Sequence, residues 1–434
     1  LHLALGAALL ALRGRGGKLV AFTAEGAGAA RGLQEGAASP YTALASDMVK
    51  AKVSAEVFVA TPARDGAGIA DLACLTDCGG ELWHFPEFDC RRDGRRLGAA
   101  VGTALGRHRG WEAQLRVRVP RGWKAERMQG HCARKKKPGL AVLPNCHAEQ
   151  TFAVEVRKAS DELGGAGPGS GTPPLSVQCV LKYRGAAGEL RVRVHTWSAA
   201  FGDPPLDEEA AAVLLSGLAL GDLRRGRPVA EVRAELEGRC RQGGAPGAPE
   251  RLARYVSGML WSDAFRVDAG QHSRADLFAH ARSRLEALPV PLVVAFYSPR
   301  LVAALDAAAC ATGDEGGAPV QVAPGRRVPS DDGLCLLEDG RSILLWVGPA
   351  VDPAKARWLQ GLSGAVEGWA GWPPEAQADP TLKAWSERLP GLVAKARAEC
   401  GLPFARVRVV PQHESADPAL AARLRGGGPA GGAP

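Results

Sequence analysis

At 434 residues and a formal net charge of +8, the chain has room for about three domains of ~150 residues, each able to bury a core. Its 46% hydrophobic and 23% charged residues exclude a disordered or fibrous chain, and Gly (55) with Pro (31) stays below the roughly 25–30% of low-complexity sequence. The basic balance fits an anionic partner, whether an acidic membrane surface, an acidic peptide or nucleic acid, and does not choose among them.

Leu3 to Leu12 is apolar nearly all round but only about ten residues long, far short of the ~20 that span a bilayer. It lacks the basic n-region of a signal peptide, and the chain opens on Leu1 rather than Met, so the segment reads as a buried helix of a domain that starts upstream, in a fragment. A Gly-rich turn at Arg13 to Gly17 leads to a strand, Lys18 to Phe22, nearly continuous in apolar character. Gly14 to Lys18 is not a phosphate loop: Leu19 follows the lysine, and the order is helix then strand. Helices are expected at Tyr41 to Lys52 and Ile69 to Leu75, and strands at Val53 to Ala60 and Leu82 to Phe85, which Pro86 ends. A helix follows with Leu97, Val101 and Leu105 on one face and Arg92, Arg95, Arg96 and Arg107 on the other. This alternation predicts a doubly wound α/β sheet.

From Trp111 the period changes to two: Leu115, Val117 and Val119 alternate with Arg116 and Arg118. Further strands are expected at Thr151 to Val156, Leu175 to Tyr183 and Leu190 to Trp197, a spacing that suits a sandwich or barrel, with the Gly/Pro-rich 164–174 between them unstructured. Helices then recur at Glu208 to Ala219, Val229 to Arg241, Pro249 to Met259 and Arg274 to Leu288, with Asp207 and Ser273 as N-caps. Two β-runs meet around Glu338-Asp339-Gly340, where Asp-Gly signals a hairpin. A helix at Ala354 to Leu362, a helix at Leu382 to Glu399 broken or kinked at Pro390, and a strand at Phe404 to Val410 complete a mixed α/β module; 426–434 reads as a disordered tail. The ten cysteines are mostly scattered singly, as suits reduced thiols, and Cys74, Cys78 and Cys90 lack the paired C-x2-C of a structural zinc site.

The order "GG-x-LW-x-F-P-x-F" at Gly79 to Phe88, a basic helix, then "GWEAQLRVRVPRGW" resembles the trunk-to-sandwich junction of the Sec-twenty-four family, the cargo-adaptor subunit of the COPII vesicle coat. Matching features continue in order on both sides: "GGKLVAF" and "YTALASDMVKAKVSAEVF" before it, then "LPNC", "TFAVEV", "SVQCVLKY" and "GELRVRVHTW" after it. The resemblance implies a partial von Willebrand A-like trunk (1–108), a β-sandwich (109–202), a helical domain (203–289), a gelsolin-like domain (290–425) and the tail (426–434). The family's N-terminal zinc-finger region is absent from this sequence, and so is its structural zinc.

Arg191 and Arg193 flank Val192 on an alternating strand, so their guanidiniums emerge on one face about 6–7 Å apart. Two planar forks suit carboxylates, and a solvated strand face is the bland alternative. By resemblance this "R-x-R" pair contributes to the pocket that reads acidic export signals; Arg116 and Arg118 share the spacing and keep a structural reading. Lys135, Lys136 and Lys137 either solubilise a loop or face anionic lipid, at about 1 kcal/mol per charge near the surface. No Ser/His/Asp or carboxylate pair stands in an interpretable context.

The resemblance therefore implies a cytoplasmic, non-enzymatic inner-coat subunit, peripheral on the endoplasmic reticulum membrane. Its implied partners are a Sec-twenty-three type subunit, a Sar-type small GTPase, the outer coat and cargo tails. The sister subunit that activates the GTPase is the nearest alternative. A basic nucleic-acid-binding protein is an alternative of another class, weakened by only 6% aromatic residues and no recognisable binding motif.

Overall fold

The structure, a computed structural model, describes residues 1–24, 40–62, 68–76, 79–134, 139–159, 175–199, 206–242, 250–260, 262, 264–265, 271–298, 300–305, 333–338, 343–348, 350–361, 378–399, 405 and 407–411. The chain divides into two compact units. The first comprises Leu1–Asp89, Ala100–Gly238 and Asp263–Val290; the second comprises Cys90–Ala99, Arg239–Ser262 and Pro291–Pro434.

The N-terminal elements alternate as their periodicity predicts: α1 (His2–Leu12), β1 (Gly17–Thr23), α2 (Pro40–Lys50), β2 (Val53–Ala60), α3 (Ala70–Ala73) with a 3-10 turn (Cys74–Thr76), β3 (Leu82–Phe85) and α4 (Cys90–Gly106). The three strands pair in parallel in the order β1-β2-β3. The middle strand β2 is buried along almost its whole length, which is why its sequence is nearly continuous in apolar residues. Val53, Ala55, Val57 and Val59 pack with Leu5, Leu9, Tyr41, Met48, Ile69 and Leu72. Alternate residues present the other face, where Phe22, Phe58 and Trp83 lie in register and stack at 5.0 and 5.8 Å between ring centroids. Gly80 packs directly on the Ala55 carbonyl, leaving no space for a Cβ, so the turn into β3 requires a glycine there.

Two expectations for α4 are corrected. Leu105, assigned to the apolar face, is 55% exposed, and Arg107, assigned to the polar face, is nearly buried against Glu81. The helix ends at Gly106, so its period no longer sets the direction of Arg107.

Seven strands follow: β4 (Arg109–Arg118), β5 (Trp123–Gln129), β6 (Ala133–Arg134), β7 (Leu140–His147), β8 (Ala153–Lys158), β9 (Leu175–Arg184) and β10 (Leu190–Ala199). Five form an antiparallel sheet in the order β10-β9-β4-β7-β6, while β5 pairs with β8. The core joins Ala113, Val117, Met128, Cys132, Ala141 and Leu143, with Phe152, Val177, Leu181 and Tyr183 packed against it. Periodicity anticipates β4, β8, β9 and β10 but not β5, β6 or β7; in β5, charged residues and a register shift between Ala125 and Arg127 interrupt the alternation. A second register shift, between Trp111 and Gln114, brackets Glu112 at φ +52°.

The helices after the sandwich are α5 (Glu208–Arg224), α6 (Val229–Gln242), α7 (Glu250–Leu260), α8 (Gln271–Ala287) and α9 (Val290–Tyr297). Asp207 caps α5 as expected, accepting from the Ala210 amide at 3.0 Å. Ser273 is not an N-cap, because α8 starts two residues earlier, at Gln271. Within the first unit, the Asp276 carboxylate of α8 accepts from the Gly68 and Ala70 amides at 2.7 and 2.9 Å, capping α3 across the chain.

In the second unit, α7 meets α9 where Gly258 packs on the Tyr297 carbonyl, again with no room for a Cβ. Its sheet has the order β11 (Arg300–Leu305), β12 (Leu334–Glu338), β13 (Ile343–Val347), β14 (Val407–Pro411). The first three strands pair antiparallel and β14 runs parallel to β13. The β12–β13 pairing is the hairpin that Asp339-Gly340 signals, although those two residues lie outside the described ones. Helices Pro353–Gly361 and Pro380–Glu399 bury Leu359, Trp385, Leu389 and Val393 against this sheet. The second helix continues through Pro390 rather than breaking there. Both expected loose segments, 164–174 and 426–434, lie outside the described residues.

Candidate functional site

The β9–β10 hairpin carries both candidate arginines. Its five-residue turn, Gly185 to Glu189, closes with the Gly185 amide donating to the Glu189 carbonyl at 2.8 Å and the Gly188 amide donating to the Gly185 carbonyl at 3.0 Å. That turn sets a register with Arg191 opposite Tyr183, Arg193 opposite Leu181 and His195 opposite Cys179. Arg191 and Arg193 therefore stand on one face of β10, both exposed, with Tyr183 beside them.

The two guanidiniums are held differently. Arg193 donates from Nε to the Tyr183 hydroxyl at 3.0 Å, which leaves its Nη edge facing solvent. This hydrogen bond, and then the charge of Arg193, pull the Tyr183 pKa below its usual value, with Arg191 adding to the effect. Arg191 instead pairs through Nη2 with the Glu189 carboxylate at 2.5 Å. The Tyr183 ring lies against Gly110 of β4, so a Cβ at that position would run into it. Chemically, the arrangement offers two planar cationic donors on a rigid strand, suited to carboxylates of an extended peptide.

β10 is an edge strand, exposed on both faces along most of its length. Leu190, Val192, Val194 and Trp197 are all more than half exposed. The side-chain hydrogen bonds of β10 run to Tyr183, Ser176 and Gln178 of the neighbouring β9, and both of its faces stay open to solvent. Arg118 is exposed and Arg116 half-buried on β4, an inner strand of the same sheet. Lys135, Lys136 and Lys137 lie outside the described residues, as does Cys78. Among the described residues no group of three or more His, Cys, Asp or Glu is placed to hold a metal, and no described helix is long and apolar enough to cross a membrane.

Beneath the sandwich, the first unit contains a buried ionic network that no sequence pattern announces. Lys18 donates from Nζ to Glu56 at 2.5 Å, and the Trp83 indole and the Glu81 amide also donate to Glu56. Arg107 reaches Glu81 at 2.5 Å, with His147 and Arg284 within 3.9 Å of the same carboxylate. Burial lowers the Lys18 pKa to about 8 and raises that of Glu56, pressing both toward the neutral form against their mutual attraction. Burial also works to raise Glu81, but Arg107, Arg284 and His147 together overcome it and hold the carboxylate ionised. His147 is driven down to about 4, first by burial and then by Arg107. These groups link β1, β2, β3, β7, α8 and the segment before β4.

Comparison with known proteins places the hairpin in a known domain. The Sec23/Sec24 beta-sandwich domain matches residues 110–202, which include β4 through β10 apart from the first residue of β4. Protein transport protein SEC24 of Pyricularia oryzae is 27% identical over 351 residues, covering 73% of this chain and 35% of that protein. Protein transport protein SEC24 of Dictyostelium discoideum is 30% identical over 159 residues, covering 36% of this chain and 15% of that protein. The chain resembles the Sec24 family over most of its length. Protein transport protein SEC24 B of Arabidopsis thaliana is 24% identical over 409 residues, 83% of this chain and 36% of its own length. The matches thus span about a third or less of the length of these Sec24 relatives. The crystal structure of the human COPII-coat protein Sec24c shares its fold at a TM-score of 0.71 and 20% identity, over 94% of this chain and 58% of that one. A mixed α/β architecture with a Sec23/Sec24-type β-sandwich is thereby established.

Tyr183 and Glu189, the two residues that differentiate the arginines, are not among the candidate site residues that the sequence suggests. The signal for Tyr183 was available in principle: a five-residue turn between two alternating runs pairs residue 191 with residue 183.

Proposed function

We propose that this chain is the cargo-adaptor part of an inner-layer COPII coat subunit, which captures acidic sorting signals for transport from the endoplasmic reticulum to the Golgi. The observation that carries the reading is the exposed Arg191/Arg193 pair on β10 within the stretch matched to the Sec23/Sec24 beta-sandwich domain. Recognition is non-enzymatic: the guanidinium forks take the carboxylates of an extended cargo tail, and many weak coat contacts add avidity.

In this reading the three parallel strands with their helices are the end of a von Willebrand A-like trunk (1–108), followed by the sandwich (109–202), a helical domain (203–289) and a gelsolin-like domain (290–425). The partners are a Sec23-type subunit in a heterodimer, a Sar-type small GTPase, the outer coat and the cytosolic tails of cargo. The protein is peripheral on the endoplasmic reticulum membrane, and Lys135, Lys136 and Lys137 face its anionic lipids. A structural zinc belongs to a zinc-finger region outside this sequence.

The test is capture of a Sec23-type subunit by the purified chain, together with binding of di-acidic cargo-tail peptides to wild type and to Arg191→Ala/Arg193→Ala. Capture of the subunit by both proteins, with the peptides lost only by the variant, supports the assignment and the site. Capture with unchanged peptide binding removes the site and keeps the family role. A folded chain that binds neither overturns the proposal.

A further inference from the structure

The two arginines are not equivalent, and what occupies Arg191 is itself a carboxylate. Glu189 and Arg191 are two residues apart at the start of β10, and the Glu189 carboxylate meets Nη2 of Arg191 at 2.5 Å. The turn positions that carboxylate. Gly185, across the hairpin mouth, has no Cβ, and the Glu189 carboxylate packs in the space that a side chain there would fill. Hydrogen bonding from the backbone amide of Glu189 itself, then the charge of Arg191, holds the Glu189 pKa below the usual carboxylate value, so it is ionised throughout the neutral range. Arg193 pairs with no acidic residue among the described residues: its Nε is taken by the Tyr183 hydroxyl, and the side chain is exposed.

We propose that Glu189 is a built-in competitor for the acidic ligand: it occupies Arg191 in the free chain, leaves Arg193 as the first point of capture, and must be displaced before both arginines engage. The inference rests on the reading of Arg191 and Arg193 as an acidic-signal site. Its physical basis is that the ligand's carboxylate and that of Glu189 offer the same guanidinium the same kind of charge-assisted hydrogen bond. Exchange of one for the other at Arg191 gains little, so most of the ligand's affinity derives from Arg193. Because the Glu189–Arg191 pair is solvent-exposed and screened, its competition is modest. A competitor of this kind sets a threshold: peptides with a single acid engage Arg193 alone, and those with two suitably spaced acids displace Glu189.

The experiment measures binding of a fluorescent peptide carrying two acidic residues to the whole chain, at low and physiological salt. Five proteins are compared: wild type, Glu189→Gln, Arg191→Ala, Arg191→Ala/Glu189→Gln and Arg191→Ala/Arg193→Ala. The near-isosteric Gln keeps the turn and removes the charge. Glu189→Gln is expected to tighten binding by about two- to fivefold, and the gain is expected to vanish in the Arg191→Ala background. An unchanged or weakened affinity in Glu189→Gln, while Arg191→Ala/Arg193→Ala still loses the peptide, overturns the competitor and leaves the arginine site standing. An equal gain with and without Arg191 also overturns it, because the effect is then a general change of surface charge. Failure of wild type and Glu189→Gln alike to bind removes the arginine site and the competitor with it.

Discussion

Arg107 donates to the Glu81 carboxylate at 2.5 Å with the two side chains only 11% and 3% exposed, and this pair ties the turn before β3 to the link between α4 and β4. Breaking such a pair from one side strands a charge where water cannot reach it. Glu81→Gln is therefore expected to cost about 3–5 kcal/mol of unfolding free energy, read from denaturant titration. Replacing both partners with apolar residues, as Glu81→Leu/Arg107→Met, is expected to cost much less than the two single changes together.

The same network makes stability depend on pH through His147. Its folded-state pKa of about 4 lies below the unfolded value of 6.5, so between these limits the unfolded chain binds a proton that the folded chain refuses. The contribution of His147 is fully present above pH 6.5 and is lost as pH falls toward 4, by at most about 3 kcal/mol. His147→Gln is expected to flatten the slope of unfolding free energy in this window, which denaturant titrations at several pH values measure. A slope unchanged by the substitution would mean that other groups dominate.

The exposed edge of β10 predicts self-association. Val192 and Val194, 57% and 53% exposed, sit on a strand with an unpaired edge among the described residues, and long apolar edges template pairing with further chains. Val192→Lys and Val194→Lys are each expected to lower concentration-dependent association in light scattering or sedimentation, without changing the far-ultraviolet circular dichroism spectrum.

Gly110 supports the proposed acidic-signal site through Tyr183. A Cβ there collides with the Tyr183 ring, and Gly110→Ala is expected to destabilise the fold by about 1–3 kcal/mol as the ring is forced aside. Peptide binding should weaken with it, because Arg193 loses the hydroxyl that orients its Nε.

How much of this was legible in the sequence depended on whether one local period governed the element. The strands Val53 to Ala60 and Leu82 to Phe85 have the expected ends, because β2 is buried on both faces and Pro86 stops β3. Glu208 to Arg224 was foreseen through Asp207 and its run of small apolar residues, though not its last five residues. β5 escaped because a register shift removes the alternation, and Val290 to Tyr297 is a helix whose short apolar run has no period to distinguish it from a strand. The arginine pair was visible as an i, i+2 pattern. The Lys18–Glu56–Glu81–Arg107–His147 network was not, because it draws single residues from three strands and two connecting segments, and only the packed fold brings them together.

The most direct test of the central claim is a titration of a di-acidic peptide into the chain, followed by NMR at the arginine Nε–H groups and at the amides of 175–199. Acidic-signal capture on β10 predicts the largest shifts at Arg193 and Arg191, with Tyr183 following, and their loss in Arg191→Ala/Arg193→Ala. Binding that leaves both arginine signals in place while amides elsewhere move would contradict it.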